Sequence, residues 1–162
     1  MRLVKSELVL EEFFIVKSDY VFNEPQENEV DIKSFMSDYD IDIDFIVRDI
    51  KDEDNKYMVF AKVSINHTEQ ALAGYSLFAE SVSIYSFSDA CKLTEKEKSD
   101  FLWSSGVSIS INCLRNYLSS ITSYCPLGKY MLPSVDLTSL LNTQRIALTK
   151  KMKKGSKYNI DS

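Results

Sequence analysis

The chain has 162 residues, 44% of them hydrophobic and 12% aromatic, with a formal net charge of −5 at neutral pH. That length supports one core of its own, and no uncharged apolar run approaches the roughly 18 residues that would cross a bilayer. The acidic balance, with no Lys/Arg cluster before residue 150, argues against a nucleic-acid partner, and the apolar window in MRLVKSELVLEE is too short for a signal peptide, so a cytoplasmic protein is expected.

The first half of the chain reads as strands. LVLEEFFIVKSDYVF, residues 8 to 22, is rich in Phe, Val, Ile and Tyr and ends at Asn23-Glu24-Pro25. Large apolar residues occupy both parities, Phe13, Ile15 and Val21 on one and Phe14, Val16, Tyr20 and Phe22 on the other, so this strand expects cover on both faces. Residues 23 to 37 are mostly polar and read as a long crossing loop, in which Phe35 and Met36 are out of place for a solvated segment. Ile41, Ile43, Phe45 and Val47 then alternate with Asp42, Asp44 and Arg48, a half-buried strand with an acidic outer face. The charged turn IKDEDNK joins it to YMVFAKVSIN as an antiparallel hairpin, and a second turn, HTEQALAG, leads to YSLFAESVSIYSF. The alternation of this fourth strand changes phase near Ser81, as a bulge there would cause.

The second half reads as helices. Thr94 followed by Glu97 carries a capping-box signature, and Phe101, Leu102 and Trp103 follow in what reads as a loop. From Gly106, the residues Val107, Ile111, Leu114, Leu118, Ile121 and Cys125 recur at spacings of four and three, one stripe of a helix about five turns long. Arg115 is its only formal charge, and Cys113, Tyr117 and Tyr124 widen the apolar arc, so cover by the sheet and by a second subunit is expected, with Val107, Ile111, Leu114, Leu118 and Ile121 as the oligomer interface. A short connector, CPLGKYMLPS, precedes a second helix started by Pro133 with Ser134 or Asp136 and anchored by Leu137, Leu140, Leu141 and Leu148. Strands first and helices last predict an α+β fold, a four-stranded antiparallel sheet with two C-terminal helices on one face, forming a single domain over 1–150 and a basic tail over 151–162.

Catalytic chemistry is nearly absent from the pattern. His67 falls in a turn, Asp42 and Asp44 share a solvated face with Arg48 and Lys62, and the four glycines form no phosphate loop. Cys91, Cys113 and Cys125 lack metal-ligand spacing and read as small apolar residues in a reducing compartment. Neither an enzyme, a metal site nor a cofactor is expected. What stands out is surplus apolar surface near the helices, at Phe35, Met36, Phe101, Leu102, Trp103, Tyr130, Met131 and Leu132, which points to an oligomer interface or an apolar groove.

The order of elements, with RNYLSSI in the long helix, then PLG, then LPSVDLTSLL, resembles the SecB protein-export chaperones. Arg115, Pro126, Gly128, Leu132, Pro133, Val135, Leu137 and Leu140 stand at the matching places, KSDYVF and LFAE resemble two strand segments of that family, and the likeness spans roughly residues 8 to 148. The resemblance implies an ATP-independent holdase, a cytosolic tetramer built as a dimer of dimers, that holds non-native preproteins in grooves. Those grooves map onto Phe35, Met36, Phe101, Leu102, Trp103, Tyr130, Met131 and Leu132. It further implies delivery to the SecA motor through a sheet face carrying Asp19, Leu77 and Glu80. The basic C-terminus and Asn23, where the family has an acid, depart from its pattern and leave open a SecB-like chaperone for a non-export client such as an antitoxin. A small-ligand-binding α+β domain is the alternative of another class.

Overall fold

The computed structural model describes residues 5–25 and 36–144. Strands β1 (Leu8–Asn23), β2 (Ile41–Asp49), β3 (Lys56–Ile65) and β4 (Gly74–Phe87) form one antiparallel sheet in the order β1-β4-β3-β2. The alternation along β2 and β3 sets their register. Ile41, Ile43, Phe45 and Val47 lie opposite Ile65, Val63, Ala61 and Val59, and the last four are buried, which marks the inner face. Asp52 and Asn55 turn the hairpin with φ of 64° and 58°, a conformation that Asp and Asn tolerate better than most residues.

The bulge expected in β4 lies in β1 instead. Pairing with β4 skips Glu11 and Val16, while β4 runs through without interruption. The phase change near Ser81 has another cause: Ser81 and Ser83 are small polar residues on the inner face, both buried. They sit in the middle of the sheet, where a larger side chain would hold a helix away.

That helix is longer than its apolar stripe. α1 (Glu95–Phe101) runs into a π-helical turn (Leu102–Gly106) and on into α2 (Val107–Thr122), with helical backbone at both junctions. Thr94 caps the start, bonding to the Glu97 N–H while the Glu97 carboxylate bonds back to the Thr94 N–H at 2.8 Å. These bonds hold the Glu97 carboxyl below its ordinary pKa. One turn on, the Lys98 ammonium donates to Asn55 Oδ1 at 2.6 Å and Glu95 Oε1 at 2.7 Å, tying α1 to the β2–β3 turn.

Val107, Ile111, Leu114 and Leu118 are buried against the chain's own sheet, α2 packing on β3 and β4. They are therefore the protomer core and not the surface offered to a second subunit; Ile121, half-buried, is the one member of the expected interface left partly open. Each fully buried Leu contributes about 1.5–3 kcal/mol by leaving water. Phe101, Leu102 and Trp103, expected in a loop, belong to the helical rod, because the π-helical turn continues it past the point where the stripe begins.

The rod is pinned through polar atoms at the core. Tyr85 donates from its hydroxyl to the Gly106 carbonyl at 2.8 Å; Ser110 Oγ lies 3.0 Å from that hydroxyl and 2.8 Å from Ser83 Oγ. Downstream, the chain divides into two compact units at Leu132/Pro133. The second unit is described over 133–144 and holds α3 (137–144), capped by Asp136, whose Oδ1 accepts from the Ser139 N–H at 3.1 Å. Leu148 and the basic tail over 151–162 lie outside the described residues.

Two tyrosines separate the contributions of buried hydroxyls. Tyr85→Phe is expected to lower unfolding free energy by about 1–2 kcal/mol, since it strips a partner from Gly106 and Ser110. Tyr130→Phe is expected to be neutral or mildly stabilising, because the Tyr130 hydroxyl is buried with no hydrogen-bond partner among the described residues. Denaturant melts of the two variants check the contrast.

Candidate peptide-binding groove

Because the rod sits over β3 and β4, the inner side of β2 is only partly covered. Phe45 is buried beneath Trp103, whose ring meets it edge-on with centroids 5.5 Å apart. Ile41, Ile43 and Val47 on the same side stay half-exposed. From Ile41 to Val47 the strand offers about 20 Å of apolar floor at roughly 3.3 Å per residue.

The upper wall is the connector after α2, which folds back along the helix. The Tyr130 N–H donates to Thr122 Oγ1 at 2.9 Å, Ser119 Oγ lies 3.5 Å from Met131 Sδ, and the Leu132 carbonyl accepts from Arg115 Nε at 3.0 Å. Three consecutive connector residues thus meet positions 122, 119 and 115, each about one turn further back. Arg115, the helix's only formal charge, is the last of these staples. A bond to Asn112 Oδ1 at 2.7 Å also steadies the guanidinium.

Tyr75 anchors the start of the connector. Its hydroxyl accepts from the Leu127 N–H at 2.9 Å and donates to the Gly128 carbonyl at 2.8 Å, where Gly128 takes a φ of +73°. The Tyr75 N–H in turn donates to the Tyr39 hydroxyl at 2.9 Å, and Tyr39 stacks on Tyr130 with centroids 6.1 Å apart. Burial pushes the phenol of Tyr39 up and that of Tyr130 up to about 12, so both stay neutral. Tyr39 also leads directly into β2, so this tyrosine ladder closes the Ile41 end of the apolar floor.

The expected groove residues therefore separate. Met131 is 55% exposed, Met36 and Trp103 are half-buried, and Phe101 is half-buried against Phe87 at 6.5 Å. Leu102, Tyr130 and Leu132 are core side chains, each at most 3% exposed, and present no surface to a ligand. Phe35 lies outside the described residues. The floor itself, Ile41, Ile43 and Val47, was not among the expected site residues, although its alternation was plain; which face of β2 lies uncovered depends on where the helix sits.

No family model matches the chain, and no curated protein matches its sequence. Among solved structures, the Mycobacterium tuberculosis Rv1957 SecB-like chaperone, in complex with a ChAD peptide from the Rv1956 HigA1 antitoxin, aligns with a TM-score of 0.55 at 12% identity. The alignment covers 80% of this chain and 91% of that one. The fold is SecB-like. A protein of unknown function from Streptococcus agalactiae aligns with a TM-score of 0.41 at 6% identity, over 81% of this chain and 100% of its own.

On this SecB-like sheet the three residues expected to meet a translocase do not share a face. Asp19 and Glu80 point outward, but Leu77 pairs with Ile65 on the inner side and is fully buried. Among the described residues no cluster of His, Cys, Asp or Glu is placed to hold a metal, and no helix is long and apolar enough to cross a membrane. The three cysteines are free and half-buried.

Gly128→Ala tests the connector. Open space surrounds the position, so the cost is the left-handed backbone alone, about 1 kcal/mol. Faster amide exchange confined to residues 127–132 is the expected result.

Proposed function

We propose that this protein is an ATP-independent holdase that captures extended, non-native polypeptide segments along the inner side of β2. The observation that carries the reading is the half-exposed row Ile41, Ile43 and Val47, with Trp103 seated over Phe45 between Ile43 and Val47 and the exposed Met131 on the connector, on a SecB-like fold. A floor of about 20 Å takes about six extended residues. Alternate client side chains leave water against it at about 25 cal/mol per Å², while the client backbone runs beside the unpaired edge of β2. Selectivity needs no sequence code, since a folded protein has already buried such side chains. No catalytic step and no cofactor enter this reading.

Clients of two kinds fit. Preproteins for export would require the SecA motor to dock on the outer sheet face; Asp19 and Glu80 support that contact, and inward-facing Leu77 does not. The neighbour's complex with an antitoxin peptide supports a client of that second class. Assembly is expected through surface left open in the protomer, above all the long edge strand β1, where Val9 and Val21 are exposed. A tetramer remains the expected state, now without the core stripe of α2 as its seam.

The test is dilution of a chemically unfolded client into buffer without nucleotide. Near-stoichiometric protein is expected to suppress its aggregation, and Met131→Ser and Trp103→Ser are each expected to weaken client Kd about tenfold, the equivalent of roughly 1.4 kcal/mol. Met131→Ser should leave the melting temperature nearly unchanged, because the side chain is mostly in water. Equal aggregation with and without the protein would contradict the reading.

A further inference from the structure

The outer face of the sheet carries rows of side chains that cross all four strands in register. One row is apolar throughout: Ile46, Phe60, Val82 and Phe14 on β2, β3, β4 and β1. Ile46 and Phe14 at its ends are 47% and 45% exposed, and Val16, bulged out of β1 beside it, is 60% exposed. The next row alternates in sign: Asp44, Lys62, Glu80, Lys17, with Lys62 and Asp44 3.6 Å apart. On the other side of the apolar row stand Arg48, Met58, Ile84 and Glu12. A shallow recess of about 430 Å³ opens between these rows, lined by Ile46, Phe60, Arg48, Lys62 and Glu80 among others.

These rows have a symmetry that a list of charges hides. A half-turn about an axis parallel to the strands, passing between β3 and β4, exchanges β2 with β1 and β3 with β4. Laid face to face on a second copy under that rotation, Asp44 meets Lys17, Lys62 meets Glu80 and Arg48 meets Glu12, each twice. The apolar positions match as well: Ile46 faces Phe14, Phe60 faces Val82 and Met58 faces Ile84. A half-turn about the perpendicular axis, along the apolar row, would set Asp44 against Arg48 and Lys17 against Glu12 but leave Lys62 facing Met58 and Glu80 facing Ile84, so two charges on each copy would go unanswered. A uniformly acidic or basic partner would be opposed by half of the alternating row. We propose that the outer sheet face is a self-complementary docking surface for a second copy of this chain, two sheets stacked about 10 Å apart with strands aligned to within about 30°.

One row opposes the contact. Asp42 and Asp19 would face each other, so the interface ends between that row and the charged one. Three rows across four strands make a small interface, at the low end of the range for specific association, so the association is expected to be reversible and concentration-dependent. The inference is independent of client capture, which uses the opposite face. It has a consequence for any export role: a copy seated here covers Glu80, so the same face cannot hold a translocase at the same time.

The test is charge exchange between strands at opposite edges of the sheet, where the two residues cannot meet within one chain. Sedimentation equilibrium of the full chain is run for the parent protein, Glu12→Arg, Arg48→Glu and the double variant, with circular dichroism confirming that each is folded. Each single variant is expected to weaken the association at least tenfold, and the double variant to restore it to within about threefold of the parent. Ile46→Glu, which puts a charge at the end of the apolar row opposite Phe14 of the second copy, is expected to abolish it. Single variants that associate as the parent does, a double variant weaker than both singles, or a parent with no concentration-dependent association up to 100 μM would each overturn the proposal.

Discussion

The Tyr85 hydroxyl, lodged between the Gly106 carbonyl and Ser110 Oγ, sets how deeply the helical rod sits on the sheet. It lies in a layer of small residues, Ala61, Ala79, Ser81 and Ser83 beneath and Gly106 and Ser110 above, all buried. The close approach depends on both: larger side chains would lift the rod, and unpaired hydroxyls at this depth would cost about 1–3 kcal/mol each. A rod seated this low over β3 and β4 covers the middle of the sheet well and its edge strands less. The half-exposed floor along β2 follows from that placement.

Much of the fold was legible in the sequence because alternation and helical spacing are local. The β2–β3 hairpin, the Thr94–Glu97 capping box, the α2 stripe and the α+β class needed only neighbouring residues. The misreadings arose where the deciding neighbour is distant in sequence. A stripe covered by its own sheet and one covered by another subunit share the same period, so Val107, Ile111, Leu114 and Leu118 could not be assigned by spacing. Leu77 lies inward because β4 pairs β3 in one register rather than the next, and a single slip would have turned it out. Phe101, Leu102 and Trp103 read as loop because a π-helical turn breaks the 3.6-residue pattern. Tyr130 and Leu132 read as surface because nothing local shows a connector folded back onto Thr122, Ser119 and Arg115.

The candidate site was half legible for the same reason. Trp103 and Met131 were visible as apolar residues with no place in a simple sheet-and-helix layer, whereas the floor of Ile41, Ile43 and Val47 had an ordinary explanation as core. The outer face was legible only as acidic, from Asp42 and Asp44. With the strand order known, its charges fall into rows that balance across the sheet. The two faces thus differ in character. The inner side of β2 is an apolar floor without a charge code, suited to varied extended chains, and the outer face is patterned, suited to one partner.

The central claim is that non-native chains lie on the β2 floor beside Trp103, and Trp103 is the chain's single tryptophan. Its fluorescence reports on that site alone when the client is an unfolded protein without tryptophan. Titration of such a client is expected to shift the emission to shorter wavelength and to saturate at the concentration ratio that suppresses aggregation, as water leaves the indole. Aggregation suppressed with no change in Trp103 emission would place client capture elsewhere and contradict the account.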